Sequence, residues 1–424
     1  MSTLLIKNTK IVSPIKEEII KGDILIENGR IKKIAEKITI KTEKIIDAKG
    51  NHAFPGFVDI HVHFRDPGFT HKEDIITGSK SAAAGGFTSV VCMANTFPVV
   101  DNPETLEYII QKAQNAKIKI YPVSAVSYGL NSDKLTNFEQ LKNSGAIAIS
   151  NDGLPIKNDD TMKTALVKAK ELNLPLLSHA EDMKISKDGI MNEGIISKKL
   201  NVPGISRESE DKATQRDINL AKETDCPVHI QHVSTAGSVD IIRLAKKEGV
   251  KITAETAPHY FSLTEECLLK KDANFRMNPP LRTKKDVKAI IEGIKDGTID
   301  CIATDHAPHA QDEKADFFTA PNGIVGLETS FAVAITKLYK KENISLSKIA
   351  QLMSFTPAKI LNFEANLMRE GDIADISIAE IEKKWTVETD LFLSKGKNSP
   401  YKDCELKGKI YTTICEGEIV HTVD

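Results

Sequence analysis

Long apolar runs are missing from this 424-residue chain. A membrane-spanning helix needs about 20 consecutive apolar residues, and no stretch of the sequence approaches that length. The first ten residues, MSTLLIKNTK, also lack the long apolar core of a secretory signal. We therefore expect a cytoplasmic protein with no membrane partner.

Closely spaced cysteine pairs are missing as well. There are six cysteines and no C-x-x-C pair, and their positions are Cys92, Cys226, Cys267, Cys301, Cys404 and Cys415. This spacing disfavours both a disulfide framework and a zinc site made of cysteines. We expect all six thiols to be reduced and buried.

A strong net charge is also absent, because 57 Lys and Arg residues face 59 Asp and Glu residues, a formal charge of −2. A protein that binds nucleic acid needs a basic surface to attract the phosphate backbone, so we expect no such partner. The hydrophobic fraction of 41% is that of a globular chain rather than a disordered one.

The two ends of the chain share a β character. Residues 3–47 alternate apolar and polar residues, and Asn28-Gly29 is a favoured two-residue hairpin turn. Similar alternation returns in DIADISIAEI and KGKIYTTICEGEIVHTV near the end. Neither end has enough strands for a stable sheet alone, so we expect residues 1–50 and 366–424 to form one small β-sandwich domain.

Residues 51–365 show a different pattern, in which short apolar runs alternate with amphipathic helical segments. Eight such runs predict strands, and they are FVDIHV, TSVVCMA, IKIYPVSAV, AIAIS, LPLLS, PVHIQ, VKITAET and IDCIAT. Eight strand–helix units over about 250 residues are typical of a (β/α)₈ barrel. The fold class is therefore α/β, a TIM-like barrel with a small domain built from both termini.

Metal-ligating residue types recur where these strands end, which is the active face of such a barrel. Alternate residues of a strand point the same way, so the two histidines of the first strand project together. The six candidate ligands are His61, His63, Asp152, His179, His232 and Asp305. Nitrogen and oxygen donors without thiolate suit Zn²⁺, with Mn²⁺ or Co²⁺ as substitutes, and six are enough for two ions that share a carboxylate.

A lone H-x-H pair in a strand is more often packed or exposed than metal-bound. Here the combination with strand-end residues elsewhere favours a metal site. His71, His229 and His421 do not follow this pattern, and we interpret them as structural or exposed.

The chain contains the motifs FRDPG, MAN, MNPPLR and GIVGLET, and together these resemble the long bacterial dihydroorotases of the amidohydrolase superfamily. D-x-H-x-H and TDHAPH are superfamily-level signals only. The more specific motifs are FRDPG with MAN, MNPPLR and GIVGLET, and the resemblance is strong over about residues 50–365.

The resemblance implies reversible, zinc-dependent cyclisation of N-carbamoyl-L-aspartate to (S)-dihydroorotate in pyrimidine synthesis. It carries the metal ligands onto the same six residues, with two zinc ions per chain, or one as the alternative. Asp305 would also be the catalytic base and acid. The implied substrate contacts are Arg65, Asn95, Asn278, His309 and Gly323. The resemblance also implies a homodimer and leaves open an association with aspartate transcarbamoylase.

Two positions depart from the family pattern. Many superfamily members bridge their metals with a carboxylated lysine where this chain has Asp152. Whether a second metal ion is bound is therefore an open question. Asn322 stands where a bulkier residue usually precedes GIVGLET. The alternatives are another cyclic amidase, such as an allantoinase, hydantoinase or dihydropyrimidinase, or a non-catalytic partner of the transcarbamoylase. Arg65 and the intact ligand set disfavour both.

Overall fold

A parallel eight-stranded barrel forms the centre of the molecule in the computed structural model, which describes residues 3–423. Its neighbouring strands follow chain order, and each lies on or within one of the eight predicted apolar runs, give or take a residue. The strands are Phe57–Val62, Phe87–Cys92, Lys119–Ser124, Ala148–Ser150, Leu176–Ser178, Val228–Ile230, Ile252–Thr256 and Cys301–Ile302. The barrel prediction is confirmed. Within residues 3–423, no helix has the length and apolar character needed to cross a membrane.

The first and eighth strands meet through a parallel bridge between Val62 and His306. The backbone N–H of His63 donates to the His306 carbonyl at 2.8 Å. Nearer the start of the same strand, the buried Asp59 carboxylate accepts the N–H of Thr304 at 3.2 Å. These contacts hold the first strand beside the segment that leads into Asp305.

The barrel has two apolar layers, as alternating strand residues require. Inward-facing side chains such as Ile60, Val91 and Leu177 fill the interior. Ala358 and Leu361 close the barrel at the end opposite the carboxyl ends of the strands. A larger cluster packs the outer strand faces against the surrounding helices. The barrel is therefore a packed core and not a pore.

Helices surround the barrel. Those of α type are Ile75–Ala84, Pro103–Ala113, Phe138–Asn143, Asp159–Glu171, Met183–Ser186, Ile195–Leu200, Glu208–Thr224, Ala236–Lys247, Lys284–Asp296, Leu327–Ala334, Lys340–Glu342, Leu346–Ala350 and Thr356–Ile360. π-Helical turns, Ile335–Tyr339 and Gln351–Phe355, link the later helices. Short 3₁₀ turns are Tyr128–Leu130, Glu265–Lys270, Ala273–Phe275, Asp312–Lys314 and Thr389–Leu391.

Strands from both termini join one mixed eight-stranded sheet, as the shared β character predicts. They are Thr3–Val12, Ile19–Glu27, Arg30–Ala35, Lys44–Asp47, His52–Pro55, Ile376–Thr386, Glu405–Cys415 and Glu418–Thr422. Asn28 and Gly29 form the predicted turn, with φ of 50° and 74°. The division at residues 50 and 366 stays a prediction, and His52–Pro55, just past the first, belongs to this sheet. A separate short ladder pairs Met191–Asn192 with Gly204–Ile205.

The mixed sheet packs directly on the barrel. Phe54 of the sheet, Phe57 of the first barrel strand and Phe331 of a barrel helix form an aromatic cluster with ring centroids 5.3–6.1 Å apart. The hydroxyl of Thr413 also donates to the Ala83 carbonyl at 2.7 Å.

All six cysteines are free, as expected. The expectation that all are buried is wrong for Cys404, which is exposed, and for Cys267, which is half-buried. Cys404 lies in a connection between strands of the mixed sheet, where the backbone runs over the surface.

Candidate metal centre

The six candidate ligands converge at the carboxyl ends of the barrel strands. His61 and His63 lie at the end of the first strand, and each of the others follows a later strand. All six side chains are buried or nearly so, with at most 12% exposed. Five of them offer donor atoms that form two groups sharing Asp152, and the sixth, Asp305, lies beside the first group.

The first group is formed by His61, His63 and Asp152, and Asp305 lies beside its two imidazoles. His61 Nε2 lies 3.4 Å from Asp152 Oδ1 and 3.6 Å from Asp305 Oδ1. His63 Nε2 lies 3.3 Å from Asp152 Oδ2 and 3.1 Å from Asp305 Oδ1. Donors about 2.0–2.2 Å from a tetrahedral ion lie about 3.3–3.6 Å from one another, so the spacing of each carboxylate from the two imidazoles is close to that needed to bind one ion.

The second group is formed by Asp152, His179 and His232. Asp152 Oδ1 lies 3.0 Å from His179 Nδ1 and 3.5 Å from His232 Nε2, and the two nitrogens are 2.8 Å apart. Asp152 thus faces both groups, with Oδ2 toward His63 and Oδ1 toward the second pair of imidazoles. A carboxylate in this position can bridge two cations.

Electrostatics also fit a cation. His61 Nε2 is buried without a hydrogen-bond partner among the described residues. Burial alone would raise the pKa of Asp152, but His61, His179 and His232 hold it well below its usual range. Burial opposes charge on His179 as well, yet Asp152 and Glu181 raise its pKa to about 10. Protons and metal ions therefore compete for these donors, and metal affinity falls at low pH.

Glu255, which the sequence analysis missed, orients a candidate ligand. Its Oε1 lies 2.5 Å from His61 Nδ1, and its Oε2 lies 3.1 Å from His229 Nε2. A proton held on Nδ1 by this carboxylate leaves the Nε2 lone pair of His61 free for a metal. The sequence shows Glu255 as the one charged residue of the strand Ile252–Thr256, but nothing local identifies its partner His61, which lies 194 residues away in the chain. Interpreting His229 as structural agrees with its burial here.

Two expected substrate contacts lie next to the candidate ligands, one in direct contact and the other through Glu181. Asn95 Oδ1 is 2.8 Å from His63 Nδ1, and its amide donates to Asp152 at 3.4 Å. Asn278 donates to Glu181 at 3.0 Å, and Glu181 in turn lies 2.9 Å from His179 Nε2. Both asparagines therefore adjoin the centre and orient its side chains. Their contact with substrate stays a prediction.

Arg65 and His309 lie together beside the centre. Arg65 Nη2 is 3.5 Å from His309 Nε2, and its Nε donates to the Pro308 carbonyl at 3.3 Å. Burial, and then the Arg65 charge, lower the pKa of His309 to about 3. A neutral imidazole beside a fixed guanidinium is suited to an anionic group.

The segment that follows the eighth barrel strand includes residues 309–323, which we name the mouth loop. Gly323 donates its N–H to the Arg276 carbonyl at 3.0 Å, so this N–H is already paired. The Asn322 carbonyl lies 2.8 Å from His309 Nε2. Asn322 stands where the family usually has a bulkier residue. Its Oδ1 is buried without a hydrogen-bond partner among residues 3–423.

A parallel barrel that gathers imidazoles and carboxylates at its strand ends defines the class of metal-dependent barrel enzymes. A profile of the family described as Dihydro-orotase-like matches residues 50–238. Relatives named dihydroorotase from Clostridioides difficile (strain 630) and Geobacter metallireducens are each 46% identical, over 99% of this chain and of their own. The chain belongs to the dihydroorotase family, and it is a cyclic amide hydrolase acting on a small-molecule substrate.

Solved structures show the same fold. The L-hydantoinase (dihydropyrimidinase) of Arthrobacter aurescens has a TM-score of 0.88 at 24% identity, covering 100% of this chain and 96% of that one. The dihydropyrimidinase of Brevibacillus agri has a TM-score of 0.86, also at 24% identity, covering 99% and 95%. This likeness confirms the fold and carries no statement about substrate.

Proposed function

We propose that this chain catalyses the dihydroorotase reaction, in which N-carbamoyl-L-aspartate closes reversibly to dihydroorotate and water in pyrimidine synthesis. The observation that carries the proposal is the Arg65–His309 pair beside the metal-ligand groups. Full-length identity of 46% to relatives of that name supports it. Dihydroorotate bears a carboxylate, and a guanidinium fork can bind it with two parallel, charge-assisted hydrogen bonds.

The six clustered residues would hold two Zn²⁺ ions, with Asp152 between them. Donor spacing, burial and the imidazole–carboxylate chemistry support this assignment. Bound zinc would polarise the amide carbonyl and make water acidic enough to ionise near neutral pH. Glu255, Asn95 and Glu181 would keep the ligand imidazoles in the tautomers that this requires.

Asp305 would move the proton. A carboxylate has two oxygens, so Asp305 can face the ligands with one and accept a proton with the other. In ring opening, Asp305 would take the proton of the attacking water as the carbon–oxygen bond forms. It would then give that proton to the ring nitrogen as the carbon–nitrogen bond breaks. Ring closure would run these transfers backwards.

Substrate comparison tests the proposal against other cyclic amidases. Dihydroorotate, dihydrouracil and allantoin differ in whether the ring carries a carboxylate. We expect hydrolysis of dihydroorotate and at most weak hydrolysis of the other two. Efficient hydrolysis of dihydrouracil or allantoin without dihydroorotate would contradict the proposal, as would absence of all three activities in the zinc-loaded protein.

Arg65→Lys tests the carboxylate contact. A single ammonium cannot reproduce a planar two-point contact, so we expect KM for dihydroorotate to rise by about tenfold or more, with zinc content unchanged. Arg207→Lys is the control, because Arg207 makes a similar forked contact to Asp286 outside the centre. An unchanged KM in Arg65→Lys would remove Arg65 from substrate binding.

The homodimer, the association with aspartate transcarbamoylase and the cytoplasmic location are further proposals. Six free cysteines agree with a reducing compartment. Light scattering of the purified chain, alone and mixed with the transcarbamoylase, would measure the first two.

A further inference from the structure

The C-terminal segment, residues 389–404, leaves the mixed sheet between its strands Ile376–Thr386 and Glu405–Cys415 and reaches the barrel mouth. Barrel carboxylates fasten it there. Glu328 accepts the N–H groups of Leu393 and Ser394 at 2.9 and 3.1 Å, and Glu73 accepts the hydroxyl of Ser394 and the N–H of Lys395. The segment is therefore held against the barrel before it reaches Asn398.

Asn398 is buried, and its side-chain amide and backbone carbonyl form hydrogen bonds with the two ends of the mouth loop. At the start, its Oδ1 accepts the N–H of His309 at 3.1 Å, and its amide donates to the Ala307 carbonyl at 3.2 Å. At the end of the loop, the side-chain amide donates to the Gly323 carbonyl at 3.0 Å. The backbone carbonyl of Asn398 accepts the N–H of Val325 at 3.0 Å. The side chain of Asn398 thus joins Ala307 and His309 to Gly323, and its backbone adds the contact to Val325.

A second contact fixes the approach of this segment. A Cβ added at Gly396 would lie 2.6 Å from Pro308 Cβ and 3.0 Å from Val325 Cγ1. Real Cβ atoms do not approach that closely, so only glycine lets the segment lie this near to Pro308. Pro308 is also the residue whose carbonyl accepts from Arg65.

We propose that Asn398 is a positioning residue for substrate binding, holding both ends of the mouth loop so that His309 stays beside Arg65. The assignment of His309 and Arg65 to the substrate rests on the proposed function. The hydrogen bonds of the Asn398 side chain go to the backbone of Ala307, His309 and Gly323, so Asn398 acts through the mouth loop. A residue that holds the mouth loop in place therefore comes from a segment outside the barrel.

An aspartate cannot replace this amide. Asn398 donates two hydrogen bonds to carbonyl oxygens, whereas a carboxylate would only accept and would face those oxygens with like partial charge. Asn398→Asp should therefore be at least as damaging as Asn398→Ala. A role in filling space alone would predict the opposite order, because Asp has nearly the shape of Asn.

The control is Asn366, which is equally buried. Its amide donates to the carbonyls of Ile373 and Asp375 at 3.1 and 2.7 Å, and its Oδ1 accepts the N–H of Met368 at 2.7 Å. Asn366→Ala therefore removes the same number and kind of side-chain hydrogen bonds away from the mouth. We expect it to lower thermal stability without changing KM.

The test measures KM, kcat, zinc content and the rate of limited proteolysis of residues 309–323. For Asn398→Ala and Asn398→Asp we expect KM for dihydroorotate to rise about tenfold or more, a smaller change in kcat, unchanged zinc and faster cleavage in the mouth loop. Gly396→Ala should reproduce these changes if the Asn398 variants do not fold.

Wild-type KM and wild-type cleavage rate in folded Asn398 or Gly396 variants would overturn the inference. An equal rise of KM in Asn366→Ala would do the same. The proteolysis measurement needs no substrate, so the inference stands or falls on it even if the wild-type chain does not hydrolyse dihydroorotate. Absence of dihydroorotate hydrolysis by the wild-type chain would contradict the proposed function alone.

Discussion

Three residues at the mouth have a left-handed backbone that L side chains rarely adopt. Arg65, His232 and Asp305 have φ of 59°, 36° and 50°. Such a conformation costs about 1–3 kcal/mol and persists only where surrounding contacts impose it. At His232, one such contact is the Glu255 carboxylate, which accepts its N–H at 3.3 Å. The strain falls where the chain leaves a strand, and it belongs to the geometry of the centre.

Asp305→Asn should abolish most turnover. The amide keeps the size of the side chain but cannot accept the proton, and general acid–base catalysis contributes about 10²–10⁴-fold. We expect kcat to fall by at least about a hundredfold in a protein with wild-type circular dichroism. Asp300→Asn, near the other end of the eighth strand, is the control and should keep its rate. Retention of more than about a hundredth of the wild-type rate in Asp305→Asn would remove Asp305 as the proton carrier.

Asp152→Ala tests the shared ligand. If Asp152 lies between two ions, its removal should lower bound zinc from two toward one per chain and reduce activity strongly. Metal analysis of the dialysed protein measures this, with exposed Asp160→Ala as the control on the following helix. Unchanged zinc with a modest loss of rate would show that Asp152 is not a ligand.

The sequence predicts the position of some residues of the candidate site better than that of others. The six candidate ligands follow from one local rule, since each lies at or just past the end of an apolar strand. Glu255 and Asn398 have no local rule, because their partners lie 194 and 89 residues away in the chain. Asn95 was expected to face substrate, and only the closed barrel shows that its amide also lies between His63 and Asp152.

At the scale of elements, the eight strands and the main amphipathic helices are predictable because apolar periodicity and length determine them. The mixed sheet is harder. Its strands are recognisable, but the pairing of Ile376–Thr386 with His52–Pro55 depends on how the barrel brings the two ends together. The C-terminal segment has little regular structure, so no periodicity marks its contact with the mouth loop.

Glu328, in the first turn of helix Leu327–Ala334, makes the attachment of this segment sensitive to pH. Burial raises the pKa of Glu328 to about 7, above about 4.3 in an unfolded chain. Between these values the folded protein binds the proton more tightly, so the contribution of Glu328 to stability falls as pH rises.

Glu328→Gln lacks this titration. The difference in free energy of unfolding, variant minus wild type, should therefore increase from pH 4.5 to 7, by about 1.4 kcal/mol per unit of pKa shift. Urea unfolding of both proteins across this pH range measures it. A difference that stays constant with pH would show that Glu328 titrates normally.

At the scale of the whole molecule, the barrel and the mixed sheet depend on each other. The sheet contains both ends of the chain and the barrel contains its middle, so the sheet is not a continuous piece of chain that could separate from the barrel. Lys119 at the start of the third barrel strand pairs with Asp375 next to the sheet strand Ile376–Thr386. Together with the aromatic cluster around Phe57, this contact makes independent unfolding of the small domain unfavourable.

The single tryptophan allows a direct measurement of this dependence. Trp385 lies in the sheet strand Ile376–Thr386, half-buried, with its indole N–H donating to the Gly408 carbonyl at 3.0 Å. Its fluorescence reports the sheet, whereas far-ultraviolet circular dichroism is dominated by the helices around the barrel. In urea we expect both signals to change with the same midpoint, because a cooperative unit has no populated intermediate.

Trp385→Phe should abolish the fluorescence change and keep the circular dichroism transition. A fluorescence midpoint clearly below that of circular dichroism would mean that the sheet unfolds first, and the C-terminal segment would then release the mouth loop before the barrel opens.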